Sequence, residues 1–442
     1  MSSEWQQVHL QDIATEVTVG YVGPMASEYV ESGIPFLRSL NIELFNINKN
    51  DLKYIRQDFH ARIKKSALKP HDVVIVRTGK PGTCAVIPNW LEDANCSDLV
   101  IVRCGERIRP RFLCYWVNSA ALHHIDSHTV GAVQQHFNVG AAKKMRVAVP
   151  SLAEQDSVVS VLGALDDRIT LLRETNATLE SIARALFKSW FVDFDPVRAK
   201  QDGRAPQGMD DATAALFPNG FEVSELGLVP RGWRIMALAD VLANHGGTIQ
   251  TGPFGSQLHA SDYVESGIPV VMPKDIQGRR VSAASIACIG PQDADRLQRH
   301  KLKTGDIVFS RRGDVERHAL ISEREVGWLC GTGCLLVRPG PSCLSSSFLS
   351  MTLDAPRARQ WLVRHAIGAT MPNLNTSILG SVPVVLPDTK VLEIFEETVS
   401  ATEAQLTQNS ELANTLSSIR DTLLPRLISG QLRLSEAEAL VA

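Results

Sequence analysis

No Cys-x-x-Cys occurs among the eight cysteines, whose closest pair is Cys330 and Cys334 in CGTGC. Neither a zinc site nor a disulfide framework is indicated, and buried, reduced thiols are the expectation. No stretch reaches the roughly 18 uncharged apolar residues of a membrane span, and the opening MSSEWQQVHL has no apolar signal region. A cytoplasmic protein without a membrane partner is therefore expected. Catalytic signatures are missing too: there is no P-loop, His-Glu-x-x-His, Gly-x-Ser-x-Gly or Asn-Pro-Pro-Tyr, and the glycine clusters GTG at 331–333 and HGG at 245–247 are not a dinucleotide fingerprint. Asp193 and Asp195 have a spacing that metal sites use, but they adjoin Pro196 at an expected helix end, where capping and solvation account for them. What remains is a chain of 442 residues, 44% hydrophobic and 21% charged. That is too long for one core and too apolar for disorder.

The chain says nearly the same thing twice. SEYVESGIPFLRSLNI at 27–42 returns as SDYVESGIPVVMPKDI at 261–276, and ALKPHDVVIVR at 67–77 as KLKTGDIVFSR at 301–311. Each copy of the latter reads as a turn feeding a short buried strand, opened by Asp72 or Asp306 and closed at Arg77 or Arg311. Trp5 answers Trp233, VGAVQQHFNV answers IGATMPNLNT, and Pro150 answers Pro387. In each YVESGIP the glycine, Gly33 or Gly267, is expected to turn the chain and Ile-Pro to start a strand. The whole is a tandem duplication of a mixed α/β domain followed by a helix.

Ser151 and Glu154 have the spacing of a capping box, so a helix should begin there. Along it Leu162, Leu165, Ile169, Leu172, Asn176, Leu179, Ala183, Leu186 and Trp190 recur in steps of three and four, which makes a coiled-coil seam. The second copy has Val399, Leu406, Leu416, Leu423 and Leu427, with Pro425 expected to kink its end and Gly430 placed to cap it. Two matched seams should pair; the alternative is that each helix packs on its own domain alone. Nine prolines and glycines between Pro196 and Gly232 suggest an irregular connection that returns the chain for antiparallel pairing. Asn176 either fixes the register of the pair or is merely exposed.

The resulting expectation is an α/β fold: two tandem mixed α/β recognition domains separated by two long helices in an antiparallel coiled coil, with pseudo-twofold symmetry. The boundaries are 1–150 for the first domain, 151–195 for the first helix, 196–230 for the linker, 231–387 for the second domain, 388–430 for the second helix and 431–442 for a tail. Residues 1–150 hold 17 lysines and arginines against 14 acids, and residues 231–390 hold 18 against 13. Basic domains beside acidic helices suit a nucleic-acid binder, though the imbalance alone is a weak signal.

The strings TGPFGSQLHASDYVESGIPVV, ALFKSWFVDFDPVRAK, LFPNGFEVSELGLVPRGW and LLPRLISGQLRL closely resemble the specificity subunit of type I restriction-modification systems, and the likeness spans essentially the whole chain. The resemblance implies two target-recognition domains, each reading one half of a bipartite sequence in double-stranded DNA. It also implies two spacer helices that act as a ruler and dock two modification (methyltransferase) subunits, joined later by restriction or motor subunits. S-adenosylmethionine, ATP and Mg would be used by those partners, and this chain would do no chemistry. The second helix departs from the pattern: its end DTLLPRLI lacks LFKSWFVDFDP, and Pro387 is followed by DTKVLE without the glutamine found at Gln155. The two docking sites are then expected to be unequal.

Sameness would hold the fold while differences read bases. Lys274 stands where the first copy has Leu40; Arg311, Arg312 and Arg317 follow a strand in FSRRGDVERH, against Arg77 and Lys80 in VRTGKPG. Arginine grips guanine or phosphate, and sequence does not separate the two. The loops AVQQHFN and TMPNLN supply Gln134, Gln135, Asn138, Asn373 and Asn375, suited to adenine or equally to loop capping. The rival reading from another class is a coiled-coil scaffold that binds only proteins and reads no DNA.

Overall fold

The computed structural model describes residues 5–130, 136–343, 345–368 and 370–432. The chain divides into two compact units: Met1–Arg173 with Glu411–Ala442, and Glu174–Ser410.

In the first unit a four-stranded antiparallel sheet has the order Cys84–Val86, Val73–Val76, Leu99–Cys104, Ala14–Val19. The run VVIV lacks alternation because both faces are covered. Val73 and Ile75 join a core with the helix Pro110–Ser119, while Val74 and Val76 join a second core on the other side. That second core is completed by a five-stranded mixed sheet that contains Ile34–Leu37 at its centre. Asp72 accepts the Lys69 amide at 3.0 Å and faces Arg103 at 3.8 Å.

The second unit repeats this order. Its sheet runs Thr248–Thr251, Cys334–Arg338, Ile307–Ser310, His318–Leu320. Ile307 and Phe309 face one core and Val308 the other. Asp306 accepts the Lys303 amide at 2.9 Å and pairs with Arg338 at 2.6 Å. Gly33 and Gly267 end the bends that lead from Tyr29–Val30 to Ile34–Leu37 and from Tyr263–Val264 to Ile268–Val271, as expected, and close approach adds a second reason: a Cβ would lie 2.5 Å from the Ile55 carbonyl oxygen in one copy and 2.3 Å from that of Ile289 in the other. Ile-Pro does start a strand in both, at Ile34–Leu37 and Ile268–Val271.

The long helices are Leu152–Phe191 and Thr389–Ile428, and each contributes to both units. The capping box forms as expected, the Ser151 amide donating to Glu154 at 2.9 Å and the Glu154 amide to Ser151 Oγ at 3.3 Å. Gln155 is fully buried and satisfied: its amide donates to the carbonyls of Arg107 and Pro150, and its oxygen accepts from the Arg109 amide. Leu392 occupies the matching place in the second helix and makes an apolar contact instead. Helical geometry continues through Pro425 to Ile428, and Gly430 (φ 71°) closes the end as Gln431 donates to the Arg426 carbonyl at 2.9 Å.

Within each unit the helix segments are antiparallel. In the first, Asp166 meets Arg420 while Ile169 and Leu172 pack on Ala413 and Leu416; Leu162 and Leu165 share a core with Leu423 and Leu427. In the second, Asn176 donates to the Leu406 carbonyl and Ser410 Oγ and accepts from Asn409, whereas Phe187 and Trp190 meet Phe395. Asn176 thus bonds across the seam, and Leu406 is buried beside it. Leu179 and Leu186 are half-buried, and Phe187, which the seam pattern passed over, is the more deeply buried neighbour.

Residues 196–230 are not an irregular connection. They form helices Asp195–Gln201 and Asp211–Ala215 and a hairpin of Phe221–Ser224 with Gly227–Pro230. The prolines and glycines punctuate short elements anchored by Phe194, Val197 and Phe217, which pack with Trp190 and Trp233 in the second unit's core. The burial of these anchors, not backbone freedom, decides the segment's shape.

Candidate nucleic-acid interface

The central strand of each unit ends at an arginine followed by a turn, and a loop distant in sequence closes on it. In the first unit the Phe137 amide donates to the Arg77 carbonyl at 2.9 Å; in the second, the Leu374 amide donates to the Arg311 carbonyl at 2.9 Å. Bridges between Thr78 and His136 and between Arg312 and Asn373 complete the pairing. VRTGKPG and AVQQHFN, and likewise FSRRGDVERH and TMPNLN, are therefore neighbours in space.

The side chains divide by what holds them. Arg77 is buried; it pairs with Asp98 at 2.6 Å and donates to the Phe137 carbonyl at 3.1 Å. Thr78 joins it, donating to Asp98 at 3.0 Å and meeting His136 Nδ1 at 3.1 Å. Its guanidinium is spent inside the protein, holding the two loops together. Asn138 accepts the Ala141 amide at 2.8 Å and Asn375 that of Ile378 at 2.7 Å. Both are N-caps, the capping alternative that the sequence left open. Lys80 and Arg312 are exposed on the turns. Arg317 is exposed and pairs with Asp314 at 2.7 Å, and Lys274 is exposed with its ammonium on the Ser285 carbonyl at 3.1 Å. Arg311 is half-buried, its backbone N–H donating to Gly333, and Asn373 pairs with Ile367 through its backbone. Gln134 and Gln135 lie outside the described residues.

Sequence reading missed Thr78, Asp98 and His136. Nothing local marks them, because their partners lie 20 to 60 positions away. Among the described residues no group of three or more metal-ligating side chains is present, and no helix is long and apolar enough to cross a membrane. Asp193 pairs with Lys188, and Asp195 opens the helix that follows.

Against known proteins, a family model described as a type I restriction modification DNA specificity domain matches residues 2–181. The chain is 27% identical over 331 residues to the type I restriction enzyme HindI specificity subunit of Haemophilus influenzae, covering 66% of this chain and 70% of that one. It is 22% identical to the MjaIX specificity subunit of Methanocaldococcus jannaschii, covering 98% and 94%. The chain is thus similar to type I restriction-modification specificity subunits, by a domain model over its first part and by distant relatives along most of its length. The fold agrees: the crystal structure of the S subunit from M. genitalium matches with a TM-score of 0.55 over 96% of both chains, at 14% identity. The chain repeats its paired loops once in each unit. Arg77 anchors those loops with its side chain and Arg311 through its backbone, and beyond them Lys80, Arg312 and Arg317 are exposed, Arg317 paired with Asp314.

Proposed function

We propose that this chain is the DNA specificity component of a type I restriction-modification complex, in which the domains 1–150 and 231–387 each bind one half of a bipartite target. The observation that carries the reading is the recurrence of one loop pair in both units with different exposed side chains, Lys80 in one and Arg312 and Arg317 in the other. Phosphate contacts from such cations set position, and contacts to base edges set sequence. Lys80, Lys274, Arg312 and Arg317, with Gln134 and Gln135, are the proposed contacts. Arg77 holds the loops with its side chain and Arg311 through its backbone, while Asn138 and Asn375 cap the helices behind them. The long helices, 151–195 and 388–430, set the spacing and dock two methyltransferase subunits, to which restriction or motor subunits add. The chain itself is non-catalytic; S-adenosylmethionine, ATP and Mg belong to those partners, and the complex works on DNA in the cytoplasm.

Co-expression with the modification subunits of its own system, followed by single-base mapping of methylated adenines, tests this. The expected result is a split motif, two short defined blocks separated by a fixed run of unspecified bases and methylated in both halves. A stable complex that adds no methylation would replace this reading with that of a protein-binding scaffold.

A further inference from the structure

Beyond the paired loops, one feature recurs in both units and has no role in the packing. The first strand of each large sheet ends in Gly-x-x-Gly, GYVG at 20–23 and GPFG at 252–255. The opening glycine is fixed by contact: a Cβ on Gly20 would lie 2.8 Å from the Ser97 carbonyl carbon, and one on Gly252 would lie 2.0 Å from the Gly331 oxygen. The third residue of each is a large apolar side chain left in water, Val22 at 69% exposure and Phe254 at 53%. A single exposed apolar residue is unremarkable, but the same one at matching places in two diverged copies calls for a reason.

Both tips are bonded to the proposed DNA-contacting loops. In the first unit the Asp98 amide donates to the Tyr21 carbonyl at 3.2 Å, and Asp98 is the residue that holds Arg77 and Thr78. In the second, the Gly252 amide donates to Cys334 at 2.9 Å and the Arg311 amide to Gly333 at 2.8 Å, so tip and basic turn hang on one short segment. An arginine also recurs at matching places in the two units. Arg62 faces Glu28 at 3.6 Å and Arg296 faces Asp262 at 4.0 Å, each at the end of a short helix, Gln57–Arg62 or Pro291–Arg296. Their side chains are 62% and 50% exposed. Arg296 also donates to the Gln257 carbonyl at 2.7 Å, and Gln257 in turn accepts the Phe254 amide at 3.1 Å. Arg296 pairs with Asp293 at 2.7 Å as well. An exposed apolar side chain with exposed arginines on the same domain is the combination with which proteins press a side chain against bases while meeting phosphates.

We propose that Val22 and Phe254 are base-contacting residues of their respective half-sites, with Arg62 and Arg296 on the adjacent phosphates, and that the Phe254 ring packs on a base step that it partly unstacks. This rests on the DNA-reading function proposed above and adds to it two contact positions outside the paired loops. It also makes the halves unequal: an aromatic ring can stack on any base, whereas valine offers only a small apolar contact suited to a thymine methyl.

The test uses the full chain assembled with its methyltransferase subunits and a duplex carrying the methylated motif found by adenine mapping, so that a failure of DNA reading is seen first in the wild-type complex. Phe254→Ser should weaken binding to that duplex by about five- to hundredfold, with unchanged melting temperature and undiminished capture of the methyltransferase subunits, and Phe254→Leu should recover part of the loss. A 2-aminopurine placed through the second half-site should brighten on binding wild type and stay dark with Phe254→Ser. Val22→Ser should cost less and act on the other half-site. Wild-type affinity for the motif in both serine variants overturns the proposal. So does a variant that binds DNA normally but fails to hold the methyltransferase, which would make the tips protein contacts.

Discussion

The turn at Phe45 in the first unit and the turn at Arg279 in the second hold the same place in the repeat, both with left-handed backbone, φ 66° and 64°. They grip the long helices with opposite chemistry. In the first unit the cation is on the helix: Arg420 lies over the Phe45 ring at 4.6 Å and pairs with Asp166 at 2.8 Å, and Asp166 also accepts the Tyr115 hydroxyl at 2.6 Å. In the second the cations are on the turn: Arg280 bonds Glu403 at 2.9 Å and Glu180 at 3.3 Å, while Arg279 faces Glu403 at 3.8 Å and donates to Ser350 at 3.2 Å. The duplication kept the backbone geometry and the need to tie the turn to both helices; it did not keep the residues. Ion pairs of this depth leave a costly orphan when one partner is removed, whereas an aromatic ring over a guanidinium does not.

That difference is open to test. Glu403→Ala strands the mostly buried Arg279 guanidinium and should destabilise the second unit by roughly 3 kcal/mol, whereas Phe45→Ala should cost the first unit about 1–2 kcal/mol; denaturant unfolding followed by proteolytic mapping of each unit measures both. Equal losses would mean that the two clamps are equivalent after all.

Acid should separate the units next. His318 is buried between Phe309 and Ser350, and burial, with Arg279 nearby, pushes it down to about 4 despite the opposing charge of Asp354; burial also pushes His300 down to about 4. Unfolded, each would titrate near 6.5. The unfolded chain takes up protons that the folded chain refuses, so this contribution is whole above pH ~6.5 and is lost as the pH falls toward 4, by at most about 3 kcal/mol per histidine. In the first unit His124 is lowered in the same direction by burial, but it is only half-buried. Thermal melts between pH 7 and 4 should show the second unit failing first, and His318→Gln should flatten its dependence.

Smaller effects follow. Asn176→Ala leaves Asn409, which is nearly buried, without its acceptor and should cost about 1–2 kcal/mol. Replacing both together by leucine should recover that stability while loosening the register, seen as broadened unfolding. Smallest, Asn138→Ala and Asn375→Ala should each cost about 1 kcal/mol by uncapping their helices; equal losses would sharpen the view that the two caps are one feature repeated.

Much of this was legible in the sequence wherever cause and effect are close along the chain. Ser151 with Glu154, Gly430 after its helix, the runs after Asp72 and Asp306, and the heptad steps through Ile169 and Leu406 all act within a few residues. Arg77 was misplaced among free cations because its fate depends on Asp98 and Phe137, 21 and 60 positions on. The segment 196–230 was misread for the same reason: its prolines and glycines are local and visible, but the core that Phe194, Val197 and Phe217 enter is assembled from elsewhere. Phe187 outranks Leu186 because its ring meets Phe348 and Phe395, which come from distant parts of the chain.

The strands VVIV and IVFS each wall two cores at once, so a change in any of their side chains is felt on one side or the other. The exposed parts of the turns that leave them, residues 79–80 and 312–314, carry no such obligation. Lengthening a flexible turn costs little, about 0.6 kcal/mol for each doubling. Variation is therefore cheap at the turn and expensive one residue before it. A lineage under pressure to recognise new targets could rewrite, lengthen or exchange these turns many times while inheriting the walls unchanged.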